Sequence, residues 1–390
     1  MRLLAPIVAA LVLSTMPLVL TTDGARANPR ADQLAAEAAA LIDQGDLGGA
    51  ESKLKLAIEV DRANVRANTA MARLLLLRNE LGPAQQHANV ALGTMKTDAE
   101  ALITLVRIQA LQGQAENTVT RVQDVANTFR DDPGVQLAYA EALLAARRFD
   151  PAMQAATRVL KAQETSVPAM KVLARAYLGL ERPVTAESIL LRALEIERDP
   201  EALSLLAGIR FGEKNLIEAR LLLEEALQVQ PGYVEALNSA GAIYVIVRNW
   251  EVALKDLNKA IAIAPSFAEA WLNLGSAQRG AGMFAEAETS WKRALTLEPK
   301  MADIWFNLGI LYLENPIASR DRIQQLTESI NAFNAFKRFV NNDPNVDKYI
   351  EEARLLIKQE QERRNEQLKP KPEATEGGEA PPAEGDEEQP

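Results

Sequence analysis

Between Val234 and Pro299 a single arrangement of large and small apolar residues occurs twice. Leu237, Gly241, Tyr244, Trp250, Ala253, Leu257, Ala260 and Pro265 in the first copy answer to Trp271, Gly275, Gln278, Phe284, Ala287, Trp291, Ala294 and Pro299 in the second. Only Gln278 breaks the chemistry. The copies are offset by 34 residues, from Val234 to Ala268. Self-similarity at a fixed period marks a repeat array, in which each unit is one small supersecondary element stacked on its neighbours. Each copy predicts two antiparallel helices joined by a short turn, at Asn249 in the first and Gly280-Ala281-Gly282 in the second. Pro265 and Pro299 stop the second helix, because proline removes a donor and clashes with the preceding turn.

The same frame extends in both directions. Units begin at 31, 65, 99, 133, 167, 200, 234, 268 and 302, with one residue missing between Val167 and Pro200. The eighth place reads Ala38, Ala72, Val106, Ala140, Ala174, Ala207, Gly241, Gly275 and Gly309. The twentieth reads Ala50, Ala84, Thr118, Ala152, Ala186, Ala219, Ala253 and Ala287. Small residues suit places where paired helices must approach closely. The ninth unit opens well, with Trp305, Leu308, Gly309 and Tyr312, and then its second-helix pattern of Ala332, Phe336 and Phe339 resumes late. An insertion is therefore expected over 314–325, and insertions in such arrays form loops on one face. The repeat region runs over 28–345. A charged helix over 346–367, with Tyr349, Ala353, Leu356 and Ile357 on one side, reads as the polar cap a terminal repeat requires. From 368 to 390 the chain is Pro, Gly, Ala and Glu with no apolar face, a disordered acidic tail with seven acidic residues against Lys369 and Lys371.

Composition narrows the function. The chain is 48% hydrophobic and only 5% aromatic, which suits close-packed helices rather than sheets. A net charge of −10 argues against a nucleic-acid partner. The absence of cysteine removes disulfides, thiol catalysis and cysteine metal sites. His87 is the sole histidine, and no phosphate loop, nucleophile elbow or zinc-binding histidine pair is present. Gly280-Ala281-Gly282 lacks the strand and further glycines of a phosphate-binding turn. No catalytic, cofactor-binding or metal-ligating residue is expected, and the protein is read as a non-enzyme.

At the N-terminus, Arg2 precedes an apolar run from Leu3 to Leu20, followed by Ala25-Arg26-Ala27. This predicts a signal peptide over 1–27, cleaved after Ala27. The alternative is an uncleaved inner-membrane anchor formed by residues 3–20. Either places the array outside the cytoplasm, and an exported, cysteine-free repeat protein suggests a periplasm.

The period and residues resemble the tetratricopeptide repeat family. The resemblance implies an all-α, right-handed solenoid of about nine helix-turn-helix units that binds protein partners in a concave groove lined by the first helices. On that frame the ninth place supplies Arg73, Arg107, Glu141 and Arg175, with Lys171 in the fifth place of the last of these units. Such a ladder suits an acidic or phosphorylated segment, because guanidinium groups pair bidentately with carboxylates. The plainer reading pairs each arginine with a carboxylate of its own array, such as Glu141. Farther on, Ser239, Asn273 and Asn307 occupy the sixth place, beside Asn238. The family implies that asparagines so placed hold an extended peptide by its backbone amides. The expected role is a partner-binding scaffold in a bacterial cell-envelope assembly. LGILYLENP followed by SINAFNAFKRFV also resembles repeat proteins of gliding-motility machinery; an assembly factor for secretion, outer-membrane or cell-wall machinery is the alternative, and a groove-binding enzyme or small-ligand binder the reading from another class. Ala253→Leu is expected to cost about 1–3 kcal/mol by overpacking; chemical denaturation measures it, and an unchanged midpoint and slope would remove the repeat frame.

Overall fold

A computed structural model describes residues 28–317, 320–340 and 343–368. The expected signal peptide or anchor, and all of the acidic tail beyond Leu368, lie outside the described residues. Nineteen helices and no strand make up the described chain. They are α1 (Pro29–Gln44), α2 (Leu47–Val60), α3 (Val65–Leu77), α4 (Leu81–Thr94), α5 (Ala99–Leu111), α6 (Ala115–Thr128), α7 (Pro133–Ala145), α8 (Phe149–Ala162), α9 (Val167–Gly179), α10 (Pro183–Ile196), α11 (Pro200–Gly212) and α12 (Leu216–Val229). After them come α13 (Val234–Ile246), α14 (Trp250–Ile263), α15 (Ala268–Gly280), α16 (Phe284–Leu297), α17 (Ala302–Glu314), α18 (Arg322–Phe336) and α19 (Pro344–Gln367). The chain divides into two compact units, one ending at Tyr233 and the other beginning at Val234.

Local chemistry explains the helix boundaries. Asn28, Asp46, Asn64, Asp98, Asp132, Asp199, Asn215 and Asn249 each accept a backbone N–H of the helix they precede. Such caps satisfy amides that have no intrahelical partner. Within each of the first eight pairs, one turn residue adopts a left-handed conformation: Gly45, Asn79, Gly113, Arg147, Glu181, Lys214, Arg248 and Gly282. Glycine adopts this conformation freely and a side chain does not, so the five non-glycine turns are held by the packing of the helices they join.

That packing depends on the small residues. Every residue at the eighth and twentieth places named above is buried. In the second unit glycine is required outright: a Cβ on Gly241 would lie 2.5 Å from Leu257, on Gly275 2.5 Å from the Trp291 ring, and on Gly309 2.6 Å from the Phe333 ring. The last of these contacts measures the insertion. The partner of Gly309 is 24 positions on, at Phe333, where the partner of Gly275 is 16 positions on, at Trp291, so eight residues are added. The stretch 314–325 is divided among the end of α17, a connection, and the first turn of α18, which Asp321 caps by accepting from the Gln324 amide. The charged helix α19 buries Val346, Ile350 and Ala353 against α18, and Tyr349 stacks on Phe333 at 5.4 Å. It closes the apolar end of the second unit.

The first unit makes one contact that a linear array does not require. The Gly232 amide donates to the Asp43 carbonyl at 2.8 Å, and Gln230 Nε2 donates to Asp43 Oδ1 at 3.2 Å. The joint after α12 is thereby seated on the turn after α1. A Cβ on Gly232 would lie 2.5 Å from Gly45 N and 2.8 Å from the Asp43 carbonyl oxygen, both backbone atoms. Gly232→Ala is therefore expected to open this contact at a cost of roughly 1 kcal/mol. Spin labels at Gln44→Cys and Gln228→Cys, in a chain with no native cysteine, report it as a longer and broader distance; an unchanged distribution would show the contact to be dispensable.

Candidate partner-binding faces

In the first unit, the first helices of successive pairs present their outward residues to one inner face, where Arg73, Lys171 and Arg175 are all engaged. Arg73, on α3, bonds Glu100 Oε1 at 2.8 Å and lies 3.7 Å from Asp43 Oδ1. Lys171, on α9, meets Asp199 at 2.8 Å and Glu201 at 3.1 Å. Arg175 meets Glu141 at 3.1 Å and Glu201 at 3.4 Å. Each cation is thus shared between carboxylates from neighbouring pairs. Arg107, on α5, is exposed and forms no ion pair among the described residues.

The electrostatics of this face follow from burial and pairing. Burial pushes the Glu201 carboxyl up, but Lys171, Arg175 and Arg107 outweigh it and hold the group below its ordinary range. Burial likewise disfavours charge on Lys171, yet Glu201 and Asp199 raise its pKa above the usual lysine value. Asp43 behaves differently: burial raises it, the Arg73 charge offsets this in part, and Glu100 adds to the rise.

In the second unit Asn273 Nδ2 donates to Asn238 Oδ1 at 2.9 Å, so these two residues are brought together. Ser239 is exposed beside them. Asn307 lines a separate cleft of about 430 Å³ with Ser276, Arg279, Asn315 and the Trp250 and Trp291 rings. Arg279 is held there by Glu314 at 2.6 Å and by Asn315 Oδ1 at 3.4 Å. Sequence reasoning did not select Ser276 or Arg279, although both sit on α15, the helix that carries Asn273. The signal was their place in the frame; what hid them is that a lining residue needs its neighbours to define the cleft.

The inserted connection is tied down. Glu288, 7% exposed, accepts from Lys292 at 2.5 Å, from the Tyr312 hydroxyl at 2.8 Å and from Arg320 Nη2 at 2.9 Å. Arg320 also bonds Glu328 at 2.7 Å and lies over the Tyr312 ring. Arg322 donates to the Tyr312 and Leu313 carbonyls at 2.9 and 2.6 Å, and Gln325 Nε2 to the Tyr312 and Asn315 carbonyls at 2.9 and 2.8 Å. These bonds satisfy carbonyls left open at the end of α17.

His87 Nδ1 lies 2.8 Å from Asn68 Oδ1. The Asn68 amide nitrogen donates to the Arg62 and Asn64 carbonyls, which fixes Oδ1 as the acceptor and Nδ1 as the donor. Burial lowers the histidine pKa. Among the described residues no group of three or more His, Cys, Asp or Glu could hold a metal ion, and no helix is long and apolar enough to cross a membrane.

Stacked helix pairs with small residues at their contacts define a helical-repeat protein of the solenoid class. Family models for the tetratricopeptide repeat match residues 143–209, 243–288 and 272–344, and the chain is a tetratricopeptide-repeat protein. Among solved structures, the anaphase-promoting-complex hetero-tetramer Cut9–Hcn1 is similar at 14% identity with a TM-score of 0.63, covering 78% of this chain and 59% of that one. This chain thus spans less than two thirds of that neighbour's length. The human IFIT1 dimer with PPP-AAAA is similar at 16% identity with a TM-score of 0.51, covering 87% of this chain and 88% of that one. At these identities the likeness is one of fold. A comparison with curated proteins finds no match.

The Glu288 cluster generates a pH dependence. Burial pushes this carboxyl up, but the bonds from Lys292, Tyr312 and Arg320 hold it below its ordinary value of 4.5. A depressed carboxyl contributes stability above its unfolded pKa and loses it as pH falls through the folded one. Hydrogen exchange should show amides 320–325 losing protection as pH falls below 4.5 in the native protein, and no such loss in Glu288→Gln. The same acid dependence in both proteins would show that Glu288 does not order the connection.

Proposed function

We propose that this tetratricopeptide-repeat protein is a non-enzymatic scaffold of the bacterial cell envelope that holds extended segments of partner proteins along its first helices. Arg107 carries the reading for the first unit. It is an exposed guanidinium on a face whose other predicted contacts, Arg73, Lys171 and Arg175, are already engaged by carboxylates. An incoming carboxylate meets Arg107 without displacing an internal partner. In the second unit Asn238, Ser239, Asn273 and Asn307 offer donors and acceptors to a peptide backbone, and Ser276 and Arg279 extend the cleft beside Asn307. Export rests on the charged, apolar and small-residue order of residues 1–27. Within the envelope, gliding motility is the process that the sequence resemblance suggests, the assembly of secretion, outer-membrane or cell-wall machinery is the alternative, and the captured partner distinguishes them.

Photo-crosslinking amino acids at Arg107 in the first unit and at Ser239 in the second, in cells carrying the full chain, are each expected to capture an envelope protein. The same group at Leu355, exposed on α19, should capture neither protein. Arg107→Ala should reduce capture by a probe at Ile103, on the same helix α5, about tenfold, the scale of one charge-assisted hydrogen bond, with unaltered thermal melting. Equal capture from Leu355, or none from either inner position, would remove the reading.

A further inference from the structure

The sequence draws attention to the inner face, where Arg107 is without an ion pair, but six further cations of the first unit without an ion pair among the described residues gather elsewhere. Three clefts of about 460, 580 and 550 Å³ recur in it, each between the second helix of one pair and both helices of the next. They are one site repeated: Leu92, Ala126 and Leu160 occupy equivalent places in the three, as do Leu105, Tyr139 and Leu173. Their floors are apolar, with Leu105 and Val122 in the first, Ala126 and Val159 in the second, and Met170 against Leu160 and Ile189 in the third.

Each cleft is lined by a pair of cations: Lys96 with Arg121, Arg130 with Arg158, and Lys161 with Arg192. All six side chains are exposed, and none forms an ion pair among the described residues. Arg121, Arg130 and Arg158 donate only to neutral oxygens, those of Asn89 Oδ1, the Asn127 carbonyl and the Gln154 carbonyl. The clefts carry two carboxylates in return, Asp131 and Glu164. In a chain of net charge −10 this is a local excess of positive charge. It is also bounded. The place of Arg158 and Arg192 is taken in the next pair by Glu225, which pairs with Arg198. The place of Arg121 is taken in the preceding pair by His87, bonded to Asn68.

We propose that these three clefts form a docking surface for an acidic segment of a partner protein in which apolar side chains alternate with carboxylates. The apolar floors take the apolar side chains, and the paired cations take the flanking carboxylates, bidentately where the cation is arginine. Charge complementarity selects this occupant. Lys171 and Arg175 of the inner face must give up a half-buried carboxylate to accept another anion, and the six cleft cations give up only water and neutral oxygens. The surface is separate from the inner face and does not rest on the reading of Arg107.

The test uses the full chain and a fluorescent synthetic peptide of alternating glutamate and leucine, with a glutamate–serine peptide of equal charge beside it. The glutamate–leucine peptide should bind more tightly than its serine counterpart, with affinity falling as salt rises because exposed charges are screened. Arg130→Glu with Arg158→Glu, in the central cleft, should weaken binding by about tenfold or more, Arg130→Lys with Arg158→Lys should retain most of it, and Arg107→Ala should leave it unchanged. Circular dichroism and melting of each variant separate this from misfolding. Equal binding of the two peptides, or a loss caused by Arg107→Ala in place of the cleft variants, would overturn the proposal. Two other outcomes would reassign the surface and overturn it equally. Binding to phosphatidylglycerol vesicles without binding to the peptide assigns it to a membrane. Peptide binding that emerges only after residues 369–390 are deleted assigns it to the acidic segment of this chain.

Discussion

The contact on which the structure depends is the close approach of the two helices in each pair. Alanine or glycine stands at most of the eighth and twentieth places because a longer side chain has no room there, and those residues are buried throughout. Over Gly275 and Gly309, where the facing residue is Trp291 or Phe333, even a methyl group would lie within 2.6 Å of the ring, and Leu257 approaches the Cβ position of Gly241 as closely. Fixing this spacing fixes the stacking of successive pairs. Residues about one repeat apart then meet across helices, which is why Arg73 finds Glu100, Arg78 finds Glu51 and Arg175 finds Glu141. The ion-pair ladder follows from the small residues.

Charge is sorted differently on the two surfaces of the first unit. On the inner face, carboxylates at the starts of first helices, Glu100 and Glu201, reach cations on the preceding first helices. Glu100 and Glu201 also lie in first turns, where the helix dipole favours a negative charge. Pairing there is a product of helix polarity and repeat stacking together. The cations lining the outer clefts sit on second helices or in the joints after them, and none forms an ion pair among the described residues. They remain free for chemistry from outside the chain. An acidic protein can therefore offer a cationic surface, because its net charge says nothing of which charges have been spent internally.

Much of the fold was legible. The all-helical repeat class follows from two copies of one pattern, since the register of small residues carries its own physical reason. The eight-residue displacement of Phe333 was harder to read, because Ala332 and Phe336 suggest a longer delay and only the ring over Gly309 settles the phase. The inserted stretch looked like a loop because its polar residues, Arg320, Arg322 and Gln325, have no apolar face; the structure uses those groups to close carbonyls at the end of α17 and to reach Glu288. The candidate site was legible by position and illegible by state. Sequence places Arg73, Arg107, Lys171 and Arg175 on one face, but whether a guanidinium is engaged depends on carboxylates on a different helix pair. For the same reason Lys96, Arg121, Arg130, Arg158, Lys161 and Arg192 gave no signal: they occupy several different places in the frame and converge only when three helices meet.

Repeat arrays are quasi-one-dimensional, each unit resting on its neighbours, and the Asp43–Gly232 contact departs from that rule. It joins elements 187 residues apart, as the Gln230 to Asp43 bond shows. An array that closes on itself couples its first pair to its sixth, so loosening an intervening pair carries the additional cost of the lost closure. It also confines the inner face. Burial raises the Asp43 carboxyl, and at Glu201 the same effect is opposed by three cations. Confinement strengthens the internal pairs and restricts entry to them at once, whereas the outer clefts are formed by adjacent pairs alone and do not depend on closure. The same unit thus has an inner surface governed by long-range closure and an outer one governed by nearest-neighbour stacking, and a change at Gly232 acts on the first without touching the second.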